Sequence, residues 1–436
     1  MLALLERTHF LPLFMIIVGA FLINAPLSDS LWLDETLTFW IIKDSPRDVW
    51  FRSTTFQGQT PFYYFVLHYW SQVFGASELA LRSFSILCGI LSVILFGRIL
   101  ISLNLKPVIL GMTFLFVHDS LVPLWFSARP YAFTFFWIIL STYLLLEYRT
   151  KRGFFRGLSY VLSGAAVFYA HYLGALIFLV HFAIIRRVSI FLWVGFFSSL
   201  GVPHLVSILG RKDEIFFDGN SEISVFLSVF LPSALMTISL VGLVLCAIVK
   251  GEKKPRFNPI GVIWWVVSAL VFFVTIGFLP NVSRYYLWAT PGIVILLVSF
   301  FSTVKVPPVA TVVMCLLCLM LNLERKWETQ DYRGIANKLL ESNKPALFYS
   351  GLAEHKGEPT SIEPAFLTNY LSSPLTVYGA KDIIPINLKA IPQMLEELSD
   401  KEVLLVAKND EIGQTLMKTF NCENGDGRLF IVRCTP

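Results

Sequence analysis

Charged residues are scarce in this chain of 436 residues. Asp, Glu, Lys and Arg make up 15% of it, against about 25% in typical soluble domains, while 55% of the residues are hydrophobic. Basic blocks interleaved with aromatic residues are also lacking, which argues against a nucleic-acid-binding protein. A composition this apolar predicts an integral membrane protein with many crossings instead of a large soluble core.

Cysteine is scarce as well, and the six cysteines show no metal-binding spacing. Cys315 and Cys318 form a Cys-x-x-Cys pattern, but they lie in an apolar run where two small hydrophobic side chains are expected. Cys422 and Cys434 lie in the polar tail. They could form a disulfide if that tail is outside the cytoplasm.

Apolar runs long enough to cross a bilayer as a helix recur along the chain. The candidate spans are residues 10–27, 79–102, 106–125, 131–147, 154–170, 172–187, 189–209, 224–249, 259–279, 285–303 and 306–323. The first has no small-residue cleavage site, so we interpret it as a retained helix and not as a signal peptide.

Basic residues determine how these spans alternate, because Lys and Arg collect on the cytoplasmic side. The basic clusters at 149–156, 186–187 and 250–256 can all be cytoplasmic if two crossings separate each cluster from the next. The N-terminus is then cytoplasmic and the C-terminus lies outside. This count leaves no crossing for the apolar run 61–75.

The run 61–75 is also short, since 15 residues at 1.5 Å each reach only about 22 Å. Pro61 suits the first turn of a helix. Tyr64, His68 and Gln72 follow at four-residue intervals and form a polar stripe on an aromatic helix. This pattern predicts a helix that lies in the membrane interface.

The predicted fold is therefore mainly α, a polytopic membrane helical bundle of about eleven crossings with interfacial helices and a small C-terminal α/β domain. The membrane domain covers residues 1–323 and includes a long outer first loop at 28–78. From 324 to 436, short apolar runs alternate with helical stretches, a pattern typical of a small α/β domain outside the cytoplasm.

Two acidic residues, Asp34 and Glu35, directly follow the first span. Asp is a favoured N-cap, and the residues from Glu35 onward are compatible with the helix it would cap. The functional alternative is a carboxylate at the membrane surface that acts as a general base on a bound hydroxyl. Neighbours on a helix point about 100° apart, so only one of the two is expected to face a given cavity.

Two arginines lie at predicted outer helix starts. Arg129 and Tyr131 belong to one of these turns, and Arg284 and Tyr285 belong to the other. Each arginine either extends its side chain to the interface or binds an anionic group, because a guanidinium holds phosphate through two parallel hydrogen bonds. The tyrosines are equally compatible with an aromatic belt.

Three weaker candidates complete the predicted site. His171 lies at an outer hairpin tip, where it is either a polar anchor or a group that binds substrate or metal. Gln59 and His68 lie in the outer first loop and its interfacial helix. Both are candidates to line a polar substrate site.

Several motifs occur in an order that is similar to a known family. They are Asp34-Glu35, TPFYYFVLHYW at 60–70, FGASELALRSFSILCG at 74–89, ARPYAF at 128–133, YAHY at 169–172, SRYYLWATPG at 283–292 and DYRG at 331–334. Together they resemble bacterial polyprenyl-phosphate-sugar glycosyltransferases of the GT-C fold, which are related to the protein O-mannosyltransferases and the aminoarabinose lipid A transferases. The resemblance covers most of the first 340 residues.

The resemblance implies an enzyme of the bacterial inner membrane. Such enzymes take a sugar from a polyprenyl-phosphate carrier on the outer leaflet and pass it, usually with inversion, to a hydroxyl of a lipid, glycan or protein acceptor. Asp34 matches the family's acidic residue, with Glu35 beside it. Arg129, Tyr131, Arg284 and Tyr285 match the turns that would hold the carrier phosphate.

The sequence departs from the family just before Pro61. Several relatives carry an acid or a histidine there, whereas Gln59 and Thr60 occupy these positions here. We therefore predict no metal at this position, although a divalent metal elsewhere is compatible with the motifs. The alternative function is a transporter or flippase for an anionic lipid or solute. Such proteins often contain repeated halves, which this sequence does not show.

Overall fold

The structure is a computed structural model of the chain. It describes residues 11–56, 60–210, 222–231, 256–275, 282–304, 307–323, 330–342, 344–352, 355, 364–398, 402–422 and 429–434. Most of these residues are helical, and a small sheet forms near the C-terminus. This architecture agrees with the predicted helical bundle and small α/β domain.

Helices dominate the described residues in the first three quarters of the chain. The described helices up to residue 170 are α1 (Leu11–Asn24), α2 (Leu33–Ile42), α3 (Pro46–Phe56), α4 (Pro61–Phe74), α5 (Glu78–Ser102), α6 (Val108–Phe116), α7 (Val122–Trp125), α8 (Pro130–Thr150) and α9 (Phe154–Ala170). Those that follow are α10 (Ile177–Ile185), α11 (Val188–Ser198), α12 (Val202–Gly210), α13 (Glu222–Phe230), α14 (Pro259–Thr275), α15 (Thr290–Val304) and α16 (Pro308–Leu323). Short 3-10 helices at Tyr172–Leu176, Ser199–Gly201 and Ser283–Ala289 join several of them.

Within the described residues, four helical stretches are long and apolar enough to cross a membrane. They are Glu78–Ser102, Pro130–Thr150, Val188–Val206 and Ser283–Val304. Shorter apolar helices occupy Pro12–Asn24, Tyr172–Ile185, Pro259–Thr275 and Pro308–Met320. Several predicted spans run into residues outside the described ranges, so the total of eleven crossings stays a prediction.

The expected span at 106–125 is not one helix, and that prediction was wrong. Helix α6 ends at Phe116 after nine residues, and a turn separates it from the short α7. The carbonyl of Phe116 accepts a hydrogen bond from the indole nitrogen of Trp125 at 2.9 Å, in place of a helical amide. Pro123 has no N–H to continue a helix through this turn.

The helix predicted from residue 61 is present as α4, with Pro61 in its first turn. Its place in the membrane interface stays a prediction. Its sequence places bulky aromatic side chains on opposite sides. Tyr63 and Tyr64 are fully buried, while Phe62 and Phe65 line a large cavity on the other side. The buried tyrosines and the cavity thus lie on opposite sides of the helix.

A four-stranded sheet organises the described part of the C-terminal domain. Its strands are β1 (Ala346–Tyr349), β2 (Ile383–Pro385), β3 (Val403–Lys408) and β4 (Leu429–Cys434), and its helices are α17 (Tyr332–Ser342), α18 (Pro364–Thr376), α19 (Ile391–Leu398) and α20 (Glu411–Thr419). The strand order is β2-β1-β3-β4, with β4 antiparallel to β3 and the other pairs parallel.

Helices cover both faces of this sheet, because successive side chains of a strand point to opposite faces. Phe348 and Leu404 pack with residues of α17 on one face. Leu347 and Leu405 pack with residues of α20 on the other. Cys422 and Cys434 are joined by a disulfide beside β4, a pairing that the sequence left open.

The C-terminal domain packs against the loop region that follows the first helix. The ring of Tyr370 in α18 lies 4.7 Å from that of Phe56 in α3 and 5.6 Å from that of Trp40 in α2, measured between centroids. Tyr370 therefore belongs to the core of the membrane domain. The domain boundary predicted after residue 323 adjoins residues outside the described ranges and stays a prediction.

Close packing of α14 on α15 depends on Gly292. A β carbon at this position would lie 2.9 Å from the backbone nitrogen of Trp265 and 3.1 Å from the ring of Trp264. We expect Gly292→Leu to separate the two helices and to lower the melting temperature of the detergent-solubilised protein, because overpacking of this kind costs about 1–3 kcal/mol.

Gly195→Leu is the matched control for this variant, since no heavy atom lies within 4 Å of a β carbon there. The melting temperature of this control should therefore equal that of the wild type. Equal melting temperatures for the two variants would contradict the packing argument.

Candidate active site

Glu35 is fully buried and fully hydrogen-bonded. Arg82 donates to its two carboxylate oxygens, with Nε 3.0 Å from Oε1 and Nη2 2.6 Å from Oε2. The backbone N–H of Ala128 donates to Oε1 at 2.7 Å, and that of Trp32 donates to Oε2 at 3.2 Å. Each oxygen therefore accepts two hydrogen bonds, and Glu35 offers no oxygen to a substrate in this arrangement.

Of the two alternatives for Asp34, the N-cap was wrong, because the helix begins two residues earlier, at Leu33 instead of Glu35. Trp32 is the N-cap of α2, and Glu35 is the third helical residue, whose side chain reaches back to the Trp32 N–H. Asp34 is left in the first turn with its side chain 22% exposed. Of the two acids, Asp34 is the one that can meet a ligand.

Arg129 lies against Asp34. Its Nη1 donates to the Asp34 carbonyl at 3.0 Å, and its Nη2 lies 3.7 Å from Oδ2 of the Asp34 carboxylate. The backbone of Arg129 is extended because Pro130 follows it as the first residue of α8. This geometry directs the Arg129 side chain into the protein, and only 5% of the residue is exposed.

Arg284 and two tyrosines lie next to this pair. The guanidinium carbon of Arg284 is 5.6 Å from the ring centroid of Tyr131 and 5.7 Å from that of Tyr285, close enough for cation–π attraction. The two tyrosine rings are 6.4 Å apart. The His171 ring lies 5.6 Å from Tyr131 and 6.0 Å from Tyr285.

Six of the predicted residues thus lie near one another: Asp34, Arg129, Tyr131, His171, Arg284 and Tyr285. They come from α2, the start of α8 and the 3-10 turns near His171 and Arg284. That they form one functional site stays a prediction. Their charges do not cancel, because two guanidinium groups face one carboxylate. Among the described residues, nothing accepts a hydrogen bond from the buried Nε–H of Arg129 or of Arg284. Buried donors of this kind normally have a partner. The cluster therefore suits an anionic ligand.

Burial determines the protonation state of the neutral groups here. The pKa of His171 is lowered to about 3 by burial and by the nearby Arg129 and Arg284, so the imidazole is neutral at physiological pH. Burial also raises the pKa of Tyr64 to about 12, which keeps its hydroxyl protonated beside Arg129. The site therefore combines one carboxylate, two cations and neutral hydrogen-bonding groups.

Tyr131, His171, Arg284 and Tyr285 enclose a cavity of about 10 Å³, together with Trp288 and smaller side chains. This space holds about one water molecule. A phosphate group is larger than this space.

A second cavity, of about 780 Å³, lies on the opposite side of α4. Its walls are almost entirely apolar and include Phe62, Phe65 and Leu162. Tyr172 and His204 line it as well, and the Tyr172 hydroxyl is 2.8 Å from Nδ1 of His204. A cavity of this size and chemistry suits the apolar part of a lipid.

The remaining predicted residues lie elsewhere. His68 is buried, and its Nδ1 lies 2.7 Å from the carbonyl of Ile42, so it joins α4 to the end of α2. Gln59 lies outside the described residues. The part of the chain that is described contains no group of three His, Cys, Asp or Glu side chains arranged to hold a metal. That the site uses no metal stays a prediction.

Arg82 was not predicted as a residue of this region. It is buried near the start of a predicted span, and a charged side chain within such a segment marks a functional or structural partner. That signal was present in the sequence. The sequence does not identify Glu35 as the partner of Arg82, because the two residues are 47 positions apart.

No family model and no curated protein matches this sequence. Solved structures do match. The chain is similar to ArnT from Cupriavidus metallidurans in the apo state, with a TM-score of 0.55, 11% identity and 97% of each chain covered. It is also similar to the same ArnT bound to undecaprenyl phosphate, with a TM-score of 0.56, 10% identity and 98% of each chain covered. The chain therefore has the GT-C-like fold of ArnT, a membrane helical bundle with a small C-terminal domain, as its motifs predicted.

Proposed function

We propose that this protein is an integral membrane glycosyltransferase that uses a polyprenyl-phosphate-linked sugar. The observation that carries the proposal is the cluster of Asp34, Arg129 and Arg284, in which two buried guanidinium donors lack acceptors. It is supported by the shared fold with an ArnT that binds undecaprenyl phosphate. The acceptor is a hydroxyl of a lipid, glycan or protein, and the reaction takes place on the outer face of the membrane.

The proposed reaction is a single displacement. The acceptor oxygen forms a bond to the anomeric carbon while the bond from that carbon to the phosphate oxygen breaks, and the configuration inverts. Asp34 takes the proton of the acceptor hydroxyl as a general base. The bonding electrons leave with the polyprenyl phosphate, which gains a second negative charge.

Arg129 and Arg284 stabilise the charge that develops on the leaving phosphate, with Tyr131 and Tyr285 as neutral neighbours. Charge stabilisation is effective in such a site because water is largely excluded. His171 adds no positive charge, since its pKa is far below physiological pH. The 780 Å³ apolar cavity is the proposed place for the chain of a lipid substrate.

Transfer can be distinguished from transport by the fate of the carrier. Purified protein is incubated with a panel of hexoses and pentoses linked to undecaprenyl phosphate, together with lipid acceptors. A glycosyltransferase releases free undecaprenyl phosphate and elongates the acceptor. Movement of intact lipid across a vesicle membrane without release of the carrier would instead establish a flippase.

We expect Asp34→Asn to reduce transfer by about 10²- to 10⁴-fold, the contribution of a positioned general base. Binding of undecaprenyl phosphate and the melting temperature should change little, because Asn has the same shape and Asp34 is partly exposed. Turnover is measured as released carrier. Wild-type turnover in this variant would overturn the assignment.

Glu35→Gln is the contrasting neighbour. It leaves Arg82 buried opposite a neutral amide, and breaking a buried pair in this way costs about 3–5 kcal/mol. Its main effect should therefore be a lower melting temperature. A Glu35→Gln protein that melts normally and is inactive would indicate that Glu35 takes part in the chemistry.

Arg284→Ala should weaken the binding of undecaprenyl phosphate by about 10- to 100-fold, the value of a charged hydrogen bond. Arg52→Ala is the matched control. Arg52 also lies over an aromatic ring, at 4.6 Å from the centroid of Trp40, but Asp44 neutralises it at 2.6 Å. Unchanged binding in Arg284→Ala would show that this side chain serves only as an interfacial anchor.

A further inference from the structure

The segment that enters the C-terminal domain lies against the loop before α2. Oε1 of Gln330 accepts a hydrogen bond from the backbone N–H of Leu33 at 3.2 Å. The backbone N–H of Arg333 donates to Oγ of Ser30 at 3.0 Å. The side-chain Nη2 of Arg333 donates to the carbonyl of Ser28, also at 3.0 Å. The loop is thus held by residues about 300 positions later in the chain.

Tyr378 of the same domain makes a further connection. Its hydroxyl accepts from the N–H of Leu31 at 2.8 Å and donates to Oε1 of Glu78 at 3.3 Å. The same oxygen of Glu78 pairs with Nη1 of Arg333 at 3.0 Å. Two backbone N–H groups, of Leu31 in the loop and of Leu33 at the start of α2, therefore donate to side chains of the C-terminal domain.

The contact at Leu33 has a specific physical role. Leu33 is the first residue of α2, so its N–H has no partner within the helix. The N-cap residue Trp32 makes no side-chain capping bond, and Glu35 is occupied by Trp32 and by residues outside the helix. Gln330 therefore satisfies an N–H that the helix itself leaves open, and Asp34 is the next residue.

We propose that the C-terminal domain is part of the transfer site and that Gln330 is a positioning residue for Asp34. The inference rests on the proposed function, in which Asp34 is the general base. Gln330 touches no reacting atom. It acts through Leu33, because an uncapped first turn moves and the carboxylate moves with it. Displacements of about 1 Å can reduce a rate by about 100-fold.

The neighbouring Tyr332 supports this placement. It is buried, and its pKa is raised by burial and by the nearby Asp34 carboxylate. The first helix of the C-terminal domain therefore begins close to the acid itself. Leu33 also packs against the core of this domain.

Two variants of the full-length protein distinguish the hydrogen bond of Gln330 from the space that its side chain fills. Gln330→Met keeps the length of the side chain but removes the acceptor, whereas Gln330→Glu keeps an acceptor oxygen. We expect Gln330→Met to lower kcat for transfer about tenfold at its own pH optimum, with binding of undecaprenyl phosphate unchanged. Gln330→Glu should stay within about threefold of the wild type.

Glu402→Gln is the control within the same domain. It breaks the ion pair between Lys344 and Glu402, at 2.6 Å, and contacts none of the loop residues named above. This variant should transfer at the wild-type rate. A loss in Glu402→Gln equal to that in Gln330→Met would overturn the proposal, because any weakening of the domain would then suffice.

Hydrogen exchange measured on peptides covering residues 30–42 tests the cap without relying on activity. Exchange should be faster in Gln330→Met and unchanged in Gln330→Glu. Unchanged exchange in Gln330→Met, or equal losses of kcat in both variants, would overturn the proposal. If the wild type transfers no sugar from any carrier, the proposed function fails. Faster exchange in Gln330→Met would then show only that Gln330 stabilises the first turn of α2.

Discussion

The arrangement of the site depends on one buried ion pair, between Glu35 and Arg82. Their side chains are 0% and 4% exposed, and removing two such charges from water costs several kcal/mol per ion. Good geometry and further hydrogen bonds offset that cost. Arg82 also donates to the carbonyls of Pro26, Leu27, Asp29 and Ser30, and Glu35 also accepts from Trp32 and Ala128. The pair thus joins the first loop, α2 and the turn before α8.

Two adjacent acids have different environments because a helix separates their directions. Glu35 points to Arg82 and is enclosed, whereas Asp34 points to Arg129 and keeps some contact with solvent. Glu35 also accepts from Ala128, the residue before Arg129, so it sets the distance between the helix of Asp34 and the turn of its cationic partner. The position of Asp34 relative to Arg129 therefore depends on the hydrogen bonds of Glu35.

Local patterns predicted the helices well and failed where a contact crosses the chain. Pro61 marks the first turn of α4, and Pro130 marks that of α8, because proline suits this position whatever surrounds it. The span expected at 106–125 was wrong because Trp125 takes over the carbonyl of Phe116, a contact that hydropathy cannot show. The cap on Leu33 was not predicted either, since Gln330 lies 297 residues away.

The sequence by itself determined that the chain is a membrane helical bundle, and its motifs named Asp34, Arg129, His171 and Arg284 as members of one site. These conclusions depend on composition, periodicity and residue order, which are local or additive properties. Only the tertiary structure decided which acid is enclosed and which is available. That choice follows from the long-range hydrogen bonds of Glu35 with Arg82 and Ala128, which no local pattern specifies.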